Sequence, residues 1–97
     1  MAWRFEWDPN KDKANQAKHG ISFDVAALVF DDPLAVTVWD CIVDGEERWW
    51  TTGSPDGIRV LAVAITFRFH EDREAIRIIS ARKATPSERK VYEETSQ

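Results

Sequence analysis

Eleven consecutive residues, Arg59 to Phe69, constrain the fold of this chain more than any other stretch. Read with the period of two of a strand, Leu61, Val63, Ile65 and Phe67 fall on one face and Val60, Ala62, Ala64, Thr66 and Arg68 on the other. Both faces are mainly apolar, so the strand needs cover on both sides and belongs at the centre of a sheet. The rest of the chain arranges itself around that requirement. Trp3, Phe5 and Trp7 alternate with Arg4 and Glu6 as a short first strand. Asp8 and Pro9 open a helix, the one as cap and the other as first helical residue, and Gly20 ends it. Ser22 caps a second, broadly apolar helix over Phe23 to Phe30, stopped by Asp31, Asp32 and Pro33. Leu34 to Cys41 is a β-branched strand, Asp44 and Gly45 a turn, and Arg48 to Thr52 the returning strand of a hairpin. Turns at Ser54–Gly57 and His70–Glu74 flank the central strand, and Ala75 to Ala81 is the next, with Ile76 and Ile78 opposite Arg77 and Ile79. Thr85 and Glu88 have capping-box spacing around Pro86 and open a last helix. The order predicts an α+β fold, two N-terminal helices and a C-terminal helix packed on a mainly antiparallel sheet.

Ninety-seven residues, 43% of them apolar, make one domain spanning 1–97, with room for a single shallow site. The single Cys41 excludes an internal disulfide and a cysteine-based zinc site, and points to a reducing, cytoplasmic setting. Neither a signal sequence nor a run near the roughly 20 apolar residues of a membrane span is visible, so no membrane partner is expected. The overall charge of −4 argues against indiscriminate nucleic-acid binding. It hides an asymmetry, because residues 1–57 have five bases against eleven acids and residues 58–97 have eight bases against six acids. Between positions 77 and 90, Arg77, Arg82, Lys83, Arg89 and Lys90 face only Glu88, a stretch able to meet a phosphate chain or to pair with acids elsewhere.

Candidate chemistry lies at two places. Asn15, Lys18 and His19 share a face of the first helix next to Gly20, combining an amide, a cation and a group that titrates near neutrality. Lys18 and His19 are equally suited to complementing the helix dipole. Glu88 and Tyr92 lie at i and i+4 on the last helix, able to point a carboxylate and a phenol at the sheet or to serve as capping box and core contact. Arg68 and Arg82 close neighbouring strands at opposite ends of the ladder, so the pattern alone does not join them. Trp49 and Trp50 face opposite sides of their strand, which leaves at least one to stack on a base, fill a partner's groove or cover the core. A phosphate loop, a nucleophile elbow and a metal-spaced histidine pair are all missing, and no cofactor is expected. RNA carries its own nucleophile in the 2′-hydroxyl, so a base, a proton donor and cations on the phosphate suffice for its cleavage, with no metal required.

The segments FEWDPNKDKANQAKHGISF, FDDPLA, GEERWWTTG and RIISARKATPSERKVYEE, taken in order, resemble the BrnT family of type II toxin-antitoxin toxins from Phe5 to Glu94. The resemblance implies a RelE-like ribonuclease fold, inhibition of translation by RNA cleavage, and neutralisation by a BrnA-type antitoxin with a ribbon-helix-helix part. That partner implies an assembly of two toxins and two antitoxins, with DNA touched only through the antitoxin. The matching blocks cover Lys18, His19, Gly20, Arg77, Ser80, Arg82, Lys83, Glu88 and Tyr92. The match itself assigns no roles; from the chemistry of the side chains, His19 is expected to move a proton, while Lys18, Arg68 and Arg82 hold the scissile phosphate. Tyr92 or Glu88 orients the site with Asn15, and Arg77, Lys83, Arg89 and Lys90 bind RNA. An antitoxin segment with acids and apolar anchors is expected to cover the same basic groove, which Arg82→Glu or Lys83→Glu tests. A degenerate, non-catalytic module that binds antitoxin as a corepressor is the alternative from another class.

Overall fold

The computed structural model describes residues 4–95, so Trp3 of the expected first strand lies outside them. Five strands form one sheet in the order β1 (Phe5–Glu6), β5 (Arg73–Lys83), β4 (Leu61–His70), β3 (Glu46–Gly53) and β2 (Val36–Val43). All neighbours are antiparallel except β1, which lies parallel to β5 with Phe5 against Ile76. The strand that is apolar on both faces is the middle one. The architecture is therefore the expected α+β fold.

Local chemistry sets the helix ends. Asp8 accepts from the Asn10 N–H at 2.8 Å, Pro9 begins α1 (Pro9–His19), and Gly20 at φ +70° closes it with its N–H on the Gln16 carbonyl. Ser22 caps α2 (Phe23–Ala27) by accepting from Val25. The expected single helix to Phe30 instead tightens at Leu28 into a 3-10 turn, Leu28–Asp31, which ends at Asp32. Thr85 and Glu88 form the anticipated capping box at the start of α3 (Pro86–Thr95), with N–H to side-chain bonds of 2.8 and 3.2 Å.

Strand boundaries differ where side chains take the backbone donors first. Asp32 accepts from the Leu34 amide at 2.9 Å, so β2 begins at Val36 instead of Leu34 and then continues past Cys41 to Val43. Asp56 likewise accepts from Ile58 and Arg59, and β4 begins at Leu61 instead of Arg59. β5 is longer than expected and changes register between the Ser80–Ala64 and Ile78–Ile65 pairs, leaving Ile79 as an extra residue. That bulge puts Ala81 on the same face as Ile76 and Ile78.

The core lies on the face of the sheet toward α1 and α2. Phe23, Ala26 and Val29 pack there against Leu61, Val63, Ile65, Ile76, Ile78 and Ala81, all shielded from solvent. Gly53 admits no side chain, because a Cβ there would meet Val29 at 2.9 Å and Ala35 at 3.0 Å. Its small size lets the 3-10 turn sit on the end of β3. α3 lies across the opposite face, beside Val36, Val38, Trp50 and Thr52, and none of its residues is fully buried.

Candidate functional site

The register of β4 and β5 determines what the outer face presents. Arg82 lies opposite Ala62, Ser80 opposite Ala64 and Arg77 opposite Thr66, so the small residues of β4 form a floor and β5 supplies the polar groups. Arg77 is half-buried and has no hydrogen-bond or ion-pair partner among the described residues. Past Ser80 stands the end of α1, where Lys11, Lys18 and His19 border a shallow hollow of about 210 Å³ with Ile79 and Ser80. The structure thus places Lys18 and His19 beside Ser80. Arg77 and Arg82 lie on either side of it along β5.

Asn15, expected to orient the site, sits under that hollow. Its amide donates to the Ile21 and Ala81 carbonyls at 2.8 and 2.9 Å and accepts from the Ala81 N–H at 3.1 Å. The side chain acts as a short piece of strand, pairing the edge of β5 where β1 has ended. Buried, with both amide hydrogens committed to backbone carbonyls, it positions α1 against β5.

Arg82 is held from two sides. Its guanidinium lies 4.4 Å above the Trp50 ring and donates to both Glu88 oxygens, at 2.7 and 3.1 Å. These bonds raise the pKa of Arg82 against the opposing effect of burial, and lower that of Glu88. Trp50 also donates to Asp40 at 3.2 Å, while Trp49 packs edge-on against Phe67 at 6.2 Å on the core side. Arg82 thus covers one side of the Trp50 ring, and Trp49 is directed to the core.

The remaining expected residues are not brought into one constellation. Arg68 and Ala62, which faces Arg82, are six residues apart along β4, about 20 Å at strand rise. Arg68 donates from Nη2 to Glu46 at 3.1 Å, and its Nε lies 2.8 Å from the other Glu46 oxygen. The Nε–H is not aimed along that second line, so this contact is Coulombic and not an aligned bond. Tyr92 reaches the opposite rim of α3 and donates to Asp32 at 2.6 Å, an oxygen that also accepts from the Ser54 N–H at 2.8 Å. The bond to Asp32, together with burial, pushes the phenol up to about 12. Burial works to raise Asp32, but the donors Tyr92, Ser54 and Leu34 outweigh it and hold the carboxyl below its ordinary value. Tyr92 is therefore an anchor of α3, not a base near neutral pH. Lys83, Arg89 and Lys90 are exposed, with Arg89 paired to Glu93 at 2.8 Å.

Three residues that no local pattern flags also shape this surface: Asp32, which holds Tyr92, Glu46, which holds Arg68, and Arg48, whose Nε is buried without a hydrogen-bond partner among the described residues. Asp32 stood in the FDDPLA block, but nothing local pairs it with a tyrosine sixty residues away. Among the described residues, no group of three or more His, Cys, Asp or Glu side chains is arranged to hold a metal ion, and no helix is long and apolar enough to cross a membrane.

The outer face of β5 thus carries cations and is bordered by the end of a helix, on a small α+β frame. The family described as "Ribonuclease toxin, BrnT, of type II toxin-antitoxin system" matches residues 7–88. The crystal structure of the Brucella abortus ribonuclease toxin BrnT is similar to this one, with a TM-score of 0.62 and 26% identity over 87% of this chain and 99% of that one. No curated protein matches the chain. The chain belongs to the BrnT family of type II toxin-antitoxin ribonuclease toxins, and an antitoxin is its partner by class.

Proposed function

We propose that the chain is a cytoplasmic, metal-independent endoribonuclease of RelE-like descent that halts translation and is neutralised by a BrnA-type antitoxin in an assembly of two toxins and two antitoxins. The single observation that carries this reading is the juxtaposition of Lys18 and His19 with Ser80, between Arg77 and Arg82 on the outer face of β5. RNA laid along that face meets cations at the phosphate and an imidazole at its edge. His19 takes the proton of the 2′-hydroxyl as its oxygen bonds to phosphorus and the bond to the 5′-oxygen breaks. The departing 5′-oxygen takes a proton from water, leaving a 2′,3′-cyclic phosphate and a 5′-hydroxyl. Lys18, Arg77 and Arg82 neutralise the phosphate, Lys83 and Lys90 extend the track, and Arg68 with Arg89 meets more distant parts of the RNA. Glu88 and Tyr92 act through position, the first by orienting Arg82 and the second by anchoring α3.

A second reading, a non-catalytic corepressor that only binds antitoxin, is favoured by the fact that carboxylates already occupy Arg82 and Arg68. Incubation of a defined RNA with the purified chain in EDTA separates the two. Cleavage with cyclic-phosphate ends, reduced about 10²-fold or more in His19→Ala and in Arg82→Ala, is the outcome expected of the ribonuclease. Intact RNA with folded wild-type protein, with or without ribosomes, selects the corepressor.

A further inference from the structure

The sheet stops at β2, whose outer edge has no neighbouring strand among the described residues. Along this eight-residue edge Val38, Trp39 and Ile42 are 53%, 51% and 62% exposed. Free backbone donors and acceptors beside apolar side chains form a template for another extended chain. On the outer face next to this edge lies an apolar groove of about 260 Å³, floored by Val36, Val38 and Trp50 and walled by Val91 and Tyr92 of α3. A strand added to β2 sends alternate side chains to the two faces, so every second residue stands beside Val36 and Val38 at the mouth of this groove. Edge and groove are one continuous surface.

We infer that this surface docks an extended segment of the antitoxin, added to β2 as a sixth strand, with alternate apolar side chains in the α3 groove and Lys or Arg at its flanks. The inference rests on the chain's membership of a toxin family that works with a protein partner. Charge selects the occupant. The β2–β3 hairpin has Asp40, Asp44, Glu46 and Glu47 against Arg48, a net of −3. A phosphate chain is repelled there, and a second copy would bring another hairpin of net −3 alongside the first. A basic, apolar peptide meets both the charge and the groove. This places the antitoxin's bases on the acidic hairpin, whereas the sequence pointed to its acids on Arg82 and Lys83.

The test is titration of the full chain with its full-length cognate antitoxin, using Val38→Glu and Val91→Glu, both at half-exposed positions that the core does not need. Each is expected to raise Kd at least tenfold with an unchanged circular dichroism spectrum. Ile58→Glu, 79% exposed and outside the lining of the groove, is expected to bind as wild type. Amide exchange in the wild-type complex is expected to slow along β2. Wild-type affinity in both groove variants overturns the docking site, as does a large loss confined to Lys83→Glu. Equally, a self-dimer abolished by the groove variants while antitoxin binding persists assigns the edge to a second copy and overturns it. Failure of the wild-type chain to bind its antitoxin at all removes the partner reading itself.

Discussion

The two faces of this sheet are held by different physics. Toward α1 and α2 the side chains of Phe23, Leu61, Ile65, Ile76 and Ile78 are almost wholly buried and dry, each contributing about 1.5–3 kcal/mol of transfer free energy. Toward α3 no helix residue is fully buried, and the helix is retained by Arg82–Glu88, the Thr85–Glu88 box and Tyr92–Asp32. Such bonds contribute about 0.5–3 kcal/mol each. One strand, β4, serves both arrangements, so stability is concentrated on one face while the other keeps its polar groups and a groove exposed.

The sharpest way to break this contrast is to compare Ile65→Ala with Val91→Ala in denaturant. Ile65→Ala is expected to cost about 2–5 kcal/mol and Val91→Ala under about 1 kcal/mol. Equal losses would mean that α3 belongs to the core. Asn15→Ala comes next: it strands the Ala81 N–H and two buried carbonyls, and a loss of about 2–4 kcal/mol in thermal or chemical unfolding is expected. A stable Asn15→Ala protein that no longer cleaves RNA would return this residue to the substrate. Tyr92→Phe is smaller, about 1–2 kcal/mol, and is read as faster amide exchange in α3 with β4 unchanged.

The weakest effect is the response of α3 to pH. Asp32 and Glu88 have folded values below their ordinary 3.8 and 4.5, so their contribution is complete above about 4.5 and is lost as pH falls through the folded values. Tyr92 runs the other way, raised from 10.0 to about 12, and contributes fully below about 10, losing its effect as pH rises through about 12. Tryptophan fluorescence from Trp50, beneath Arg82, should therefore be flat between those limits and change outside them.

How far the molecule was legible in its sequence depended on the distance between interacting residues. Asp8–Pro9, Gly20 and the Thr85–Glu88 pair act within one turn, and the helix ends they predict are observed. The placement of β4 was readable because both of its faces declare themselves in period two. Asn15 with Ala81, Arg68 with Glu46 and Tyr92 with Asp32 are separated by 66, 22 and 60 residues, and no local pattern encodes them. The bulge at Ile79 was equally silent, yet it decides that Ser80 and Arg82 share the outer face. The candidate site was thus visible as a set of residue types, and its division into a cleft at α1, a clamped arginine and a distant Arg68 was not.

The amide of Asn15 has a consequence for assembly. By occupying β5 beyond the short β1, it covers the part of that margin nearest α1, while the eight residues of β2 have no outer neighbour among the described residues. The two margins are unequal: the two-residue β1 and the capped stretch of β5 offer a further strand little to pair with, and the long β2 offers much more. Growth of the sheet is thereby directed to one side, which works against the equal, two-sided joining that an open filament of copies requires.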